Sequence, residues 1–282
     1  MAVQPKKFLE IVHRVDEGDV IGLAACAGFE LGEWRYKKFA DHLINWLPHF
    51  ALKQEEIERI GPENPLDLLR ESAYRVFTEE AGKKRGEIGE LLLHILCVTE
   101  YRAAAFATRV FYKMRSNDQV TGFDSTLVTV DDKTGDIELW LGEAKFYTDT
   151  KGAISAALAS LRGHLDAGFL EESKILIGPK IEPTAPGYEQ LQWLFDGGSK
   201  LDEIVKRIVI PVLVASESDA AKSYADGPDN YPDIVIEEFE YVSGRFSDAQ
   251  AELKVRIVVI YVPLLSKELL EKRFIEKLGV LR

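Results

Sequence analysis

The chain reads as an α/β protein with a mixed central sheet flanked by helices and a mostly helical N-terminal region. Three observations predict this. The segments KRIVIPVLVAS and KVRIVVIYVPL are near-continuous apolar runs of the kind buried on both faces of a sheet. GEIGELLLHILCVTEY and GAISAALASLRGHL carry apolar residues at helical spacing. Between these two helices lies a stretch with strand alternation and hairpin chemistry, so the order is helix, hairpin, helix and then further strands.

Taken in order, residues 7 to 81 are expected to be mostly helical, with a turn around the glycines of AACAGFELGEW and a periodic helix in WRYKKFADHLINWL. GPENP at 61 to 65 is a break. These features suggest an N-terminal region over 1–82 packed on a second unit over 83–282. The helix from Gly86 has Ile88, Leu91, Leu92 and Ile95 on one side, with Leu93 and Leu96 widening the apolar arc. Its one polar stripe is Glu87, Glu90, His94 and Cys97, which carries acids into an interior or a cleft. Strands follow near 120–130 and 137–146, joined by DDKTGD. A helix with Ile154, Leu158, Leu161 and Leu165 at core spacing leads to SKILIG, expected as a short strand, and SKELLEKRFIEKLG closes the chain as a helix.

Composition excludes several classes. At 282 residues and 46% hydrophobic content the chain can bury a substantial core. Its longest apolar runs fall far short of the roughly 20 residues a membrane span needs, and no apolar run of signal-peptide length opens it, so the expectation is a cytoplasmic protein without a membrane partner. Cys26 and Cys97 lack the spacing of a structural zinc site and read as inert. A net charge of -12 argues against a surface that attracts phosphate everywhere. Residues 75–115 are a local basic track, where Lys113 and Arg115 are candidate phosphate contacts, while 217–240 is strongly acidic.

The residues that carry chemistry lie at the end of IELWLGEAKFY. Strand side chains alternate, so Ile137, Leu139, Leu141, Glu143 and Lys145 share one side, and the last two put charges where an apolar row should continue. A buried charge is costly unless it is paired or binds a metal. The pattern E-x-K recurs at Glu172/Lys174 and Glu252/Lys254, but those pairs precede their apolar runs whereas Glu143/Lys145 ends one. Glu90, Asp124, Glu143 and Lys145 together make a candidate divalent-metal site for phosphodiester hydrolysis. Hard oxygen ligands suit magnesium, which takes one or two carboxylates and keeps waters. Lys145 would orient or deprotonate the attacking water or offset charge on the phosphate. Glu87 rivals Glu90 as the helix acid, and His94 and His164 are candidate assistants. The phosphate loop G-x-x-x-x-G-K-[ST], H-E-x-x-H, G-x-S-x-G and G-x-G-x-x-G are all absent.

A helix Glu, an Asp on one strand and E-x-K on the next, followed by a helix, resembles the restriction-endonuclease-like PD-(D/E)xK nuclease core. RGEIGELLLHIL, VTGFDSTLV, LWLGEAKFY and AGFELGEW are more closely similar to HamA, the nuclease family of the Hachiman anti-phage defence system. The resemblance implies a deoxyribonuclease dependent on Mg2+ or Mn2+, with Asp124 and Glu143 on the metal, Lys145 as catalytic lysine and Glu90 as the supporting acid at the metal. Phe123 stands where the superfamily pattern has proline. The resemblance also implies a partner, the HamB-like superfamily 2 DNA helicase, which would gate cleavage and engage DNA. The alternative is a regulatory scaffold that keeps the fold, binds helicase and DNA, and does no chemistry.

Overall fold

A computed structural model describes residues 4–18, 20–59, 64–76, 86–107, 122–196, 198–224 and 230–281. Seven strands form one mixed sheet. They are β1 (Glu10–Val15), β2 (Ile21–Cys26), β5 (Ala104–Ala105), β6 (Ser125–Val130), β7 (Ile137–Tyr147), β8 (Ile208–Glu217) and β9 (Arg256–Leu264), in the order β1-β2-β9-β8-β7-β6-β5. The central strands β2, β9, β8 and β7 are mutually parallel, and antiparallel pairs close both sides. Every residue of β8 up to Ser216 is buried, as a strand covered on both faces requires.

Two layers of helix cover the sheet. On one face, α5 (Thr150–His164) and α10 (Tyr231–Leu253) pack Ile154, Leu161, Phe239 and Phe246 against Leu139, Leu141, Val212 and Tyr261. On the other, α1 (Tyr36–Ala51), α4 (Gly86–Tyr101) and α11 (Lys267–Leu281) pack Phe39, Trp46, Leu91 and Phe274 against Trp140, Leu213 and Ile260. The α4 stripe Glu87, Glu90, His94 and Cys97 is buried throughout, as expected.

Two segments depart from the sequence reading. Residues 10–34, expected as mostly helix with a turn around the glycines of AACAGFELGEW, instead form β1, β2 and the small hairpin of β3 (Phe29–Glu30) and β4 (Glu33–Trp34); helices begin only with α1 and continue through α2 (Gln54–Ile57) and α3 (Pro65–Val76). The reason lies in Gly18, at φ +117, which lets the chain fold back so that β2 pairs with both β1 and β9 and disappears into the core. The N-terminal region therefore contributes two strands to the same sheet as the rest of the chain; residue 82, where the two units were expected to meet, lies outside the described residues. SKILIG, expected as a strand, belongs to α6 (Ala167–Ile177), started by Asp166, whose side chain accepts from Gly168 N at 2.9 Å. A three-residue apolar run has no period of its own, so the cap decides. Glu172 and Lys174 thus sit on a helix. Glu252 lies in the last turn of α10 and Lys254 is its C-cap, so neither decoy pair lies on a strand.

The β6–β7 hairpin sets up the site. In the turn, Asp131 Oδ1 accepts from Lys133 N at 2.8 Å and Thr134 N at 2.7 Å, and Gly135 takes φ +73. The register pairs Ser125 with Gly142. A Cβ on Gly142 would lie 2.3 Å from Ser125 Oγ and 2.8 Å from Leu93 Cδ2, so only glycine fits under α4 here. On the other side of β7, the ladder to β8 pairs Leu139 with Ile208 and Trp140 with Val209, and resumes at Glu143 with Val212. Pro211 lies opposite the gap and has no N–H to give. The sheet is thus interrupted immediately before Glu143.

Candidate active site

Glu143 and Lys145 lie on β7, an internal strand, with side chains toward α5. Glu143 is 3% exposed. Its Oε1 accepts a short hydrogen bond from Lys145 Nζ, which also donates to Ser160 Oγ of α5 at 3.2 Å. His164 Nδ1, one turn further along α5, is 3.4 Å from Glu143 Oε2, and its ring packs on Phe123 with centroids 4.9 Å apart. Asp124 is the last residue before β6. Its N–H still donates to Gly142 O at 2.8 Å, but its carboxylate takes the next place in the ladder and accepts from Ala144 N at 2.9 Å. The strand pairing therefore ends in a side chain, and this fixes Asp124 beside Glu143.

Electrostatics follow from that crowding. Burial, reinforced by the negative charge of Asp124, pushes the Glu143 carboxyl up from its ordinary 4.5 to about 7; Lys145 pulls it back only in part. Burial also lowers the basicity of His164, against the pull of Asp124. Two carboxylates and an ammonium thus share one nearly dry pocket.

Asp124, Glu143 and Lys145 are brought together, as expected. Glu90 is buried on α4, in the layer across the sheet, and its Oε1 lies 3.6 Å from where a Cβ on Gly86 would be. Gly89 would place a Cβ 3.1 Å from Phe146 Cβ, so this turn of α4 rides over the same end of β7. His94, one turn beyond Glu90, lines a cavity of about 20 Å³ together with His49, Asp124 and Ser125. The helix stripe therefore points toward the start of β6. Among the described residues, no three His, Cys, Asp or Glu side chains gather at metal-holding spacing, so Glu90 does not form such a trio with Asp124 and Glu143. Burial brings His94 down to about 4, and the Cys26 and Cys97 thiols are raised by burial, which leaves them unreactive. Lys113 and Arg115 lie outside the described residues.

A family model for HamA matches residues 5–278. The chain belongs to the HamA family. HamA is a component of the Hachiman anti-phage defence system, and the match takes in both the N-terminal strands and the whole candidate site. Comparison with curated proteins finds no match. Sequence reasoning had named His164 in this HamA chain only as a possible assistant and had missed Ser160. One signal was available: the α5 row Ala153, Ala157, Ser160, His164 changes from small apolar to polar along one side, as the β7 row does at Glu143.

The donor set fits a hard divalent cation. Two carboxylates held side by side, one of them reluctant to ionise without a counter-charge, match the one or two protein carboxylates magnesium commonly uses. Among the described residues, no helix is long and apolar enough to cross a membrane.

Proposed function

We propose that this HamA chain is a magnesium- or manganese-dependent DNA endonuclease whose cleavage is gated by a HamB-like superfamily 2 helicase partner. The observation that carries the reading is the junction of Asp124, Glu143 and Lys145 where the β6–β7 ladder ends, with both carboxylates crowded and Glu143 raised to about 7. A bound cation supplies positive charge to the scissile phosphate and acidifies the attacking water. Asp124 and Glu143 would hold it, and Asp124 is kept in place by Ala144 N–H. Lys145 Nζ, held beside Glu143 and Ser160, would offset the charge that develops as water attacks phosphorus and the ester P–O bond breaks. Glu90, on α4 across the sheet, is not among the residues that would hold the cation. Lys113 and Arg115 would contact DNA phosphates.

Gating is supported by composition. A net charge of -12 disfavours unaided DNA binding, and the sequence has no phosphate loop to drive translocation. The partner would deliver DNA and raise its effective concentration at Glu143 and Lys145. The acidic 217–240 segment is a candidate for its docking, although Glu238 is committed internally to Ser218, Tyr261 and the start of α9 (Asp219–Ser223).

The test is plasmid nicking by the chain and by its helicase complex, with and without ATP, in magnesium, manganese, calcium or EDTA. Cleavage is expected with the first two metals only, to be weak for the chain alone at physiological salt, to respond to ATP in the complex, and to vanish in Lys145→Ala. Undiminished cleavage in EDTA or by Lys145→Ala would overturn the reading; intact complex formation without any cleavage would favour the scaffold.

A further inference from the structure

Two rows that meet across the sheet–helix interface turn polar together. On β7, Ile137, Leu139 and Leu141 give way to Glu143 and Lys145; on α5, Ala153 and Ala157 give way to Ser160 and His164. α5 packs directly on β7 and β8, where side chains from both layers are buried against one another. Polar groups at such an interface remain only where they answer one another. Here Ser160 Oγ receives Lys145 Nζ at 3.2 Å and also bonds Glu143, and His164 Nδ1 lies 3.4 Å from the Glu143 oxygen that Lys145 does not occupy, near it but not aligned as a hydrogen bond. Phe123, just before Asp124, packs against the imidazole at 4.9 Å and fixes its plane. The spacing of four residues puts both groups on one side of α5, one turn apart.

We propose that Ser160 and His164 are positioning residues of the nuclease site, Ser160 for the Lys145 ammonium and His164 for the Glu143 carboxylate. The inference rests on the nuclease reading above and adds to it an assignment to α5. From 3.4 Å, a small rotation of the imidazole would make His164 Nδ1–H a donor to Glu143 Oε2 and turn the carboxylate so that its lone pairs meet an incoming cation. Outer partners of this kind set the orientation and basicity of a metal ligand. Ser160 gives Lys145 a resting partner other than Glu143, so the ammonium is held at the site when the carboxylate is taken up by a cation. Neither residue touches the reacting atoms. Each acts through its neighbour.

Substitutions that move the donor atom separate positioning from packing. The Asn amide nitrogen falls near the place of His Nδ1, whereas the Gln amide nitrogen falls near that of Nε2. The full-length chain is titrated with Mn2+ by calorimetry, and nicking by the helicase complex is measured as kcat and KM. His164→Asn is expected to keep Mn2+ affinity within about threefold, while His164→Gln and His164→Ala weaken it by about tenfold or more. Ser160→Ala is expected to lower kcat about tenfold with KM nearly unchanged, and Ser160→Thr, which keeps the hydroxyl, to restore it. The inference is overturned if His164→Gln binds Mn2+ as well as His164→Asn does, or if Ser160→Ala matches Ser160→Thr in kcat. A general loss of folding would lower both members of each pair alike and so also count against it. If instead the wild-type chain neither binds Mn2+ nor cleaves, or if Lys145→Ala cleaves normally, the nuclease reading itself fails and takes the inference with it, a result distinct from equality within the pairs.

Discussion

Replacing Glu143 by Gln is expected to stabilise the metal-free chain above neutral pH while abolishing cleavage. The folded chain holds the Glu143 proton up to about pH 7, because burial and Asp124 oppose the charged form; unfolded, the group ionises near its ordinary 4.5. Between those values the folded state binds the extra proton, so stability falls as pH rises, and the full penalty stands above 7 and is absent below 4.5. At about 1.4 kcal/mol per tenfold change in proton affinity, the penalty is roughly 3 kcal/mol. Gln mimics the protonated acid and escapes it. For a chain of this size that corresponds to about 5–10 °C in melting temperature. Thermal melts in EDTA at about pH 8 and about pH 5 measure it, with most of the gain expected at the higher pH and only a small part at the lower. Added magnesium should raise the melting temperature of the wild type at the higher pH and leave the variant unmoved. Equal melting temperatures at the higher pH, or an advantage of the same size at both, would refute the reasoning.

Three further outcomes are expected. Gly142→Ala places a methyl 2.3 Å from Ser125 Oγ and 2.8 Å from Leu93 Cδ2, and should cost about 1–3 kcal/mol in urea unfolding and reduce cleavage by shifting Glu143. Arg75 binds Glu56 through two hydrogen bonds of 2.7 and 2.6 Å and brings that carboxyl down to about 2. The contribution is present above 4.5 and lost as pH falls toward 2, so Arg75→Ala should lose about 1–2 kcal/mol at neutral pH and little in strong acid, after allowance for partial exposure. Replacing Lys113 or Arg115 should weaken DNA binding equally across sequences and lower the salt slope by about one, as read in binding titrations over a range of salt.

The period of two along IELWLGEAKFY was enough to put Glu143 and Lys145 on one side of a strand, and the period of 3.6 in the helix from Gly86 was enough to bury Glu90. The hairpin followed from DDKTGD, and its partner strand placed Asp124 within reach of Glu143. Local spacing carries such information because it is a property of one element. Residues 10–34 and SKILIG escaped the same logic. The first pair of strands is stabilised by β9, more than 200 residues away in the chain, and the α6 run is too short to show a period.

What the sequence determined by itself is therefore which groups meet: Asp124, Glu143 and Lys145 where a buried strand ends, with Glu90 on a buried helix stripe. What only the tertiary structure decided is how those groups are held. The Asp124 carboxylate closes the ladder on Ala144 N–H because β6 begins one residue later, and Ser160 and His164 reach Lys145 and Glu143 because α5 crosses β7 at that level. Spacing within one element states which side chains share a face. It does not state which face of another element they meet, since that is fixed by how the whole apolar surface of each layer is buried at once.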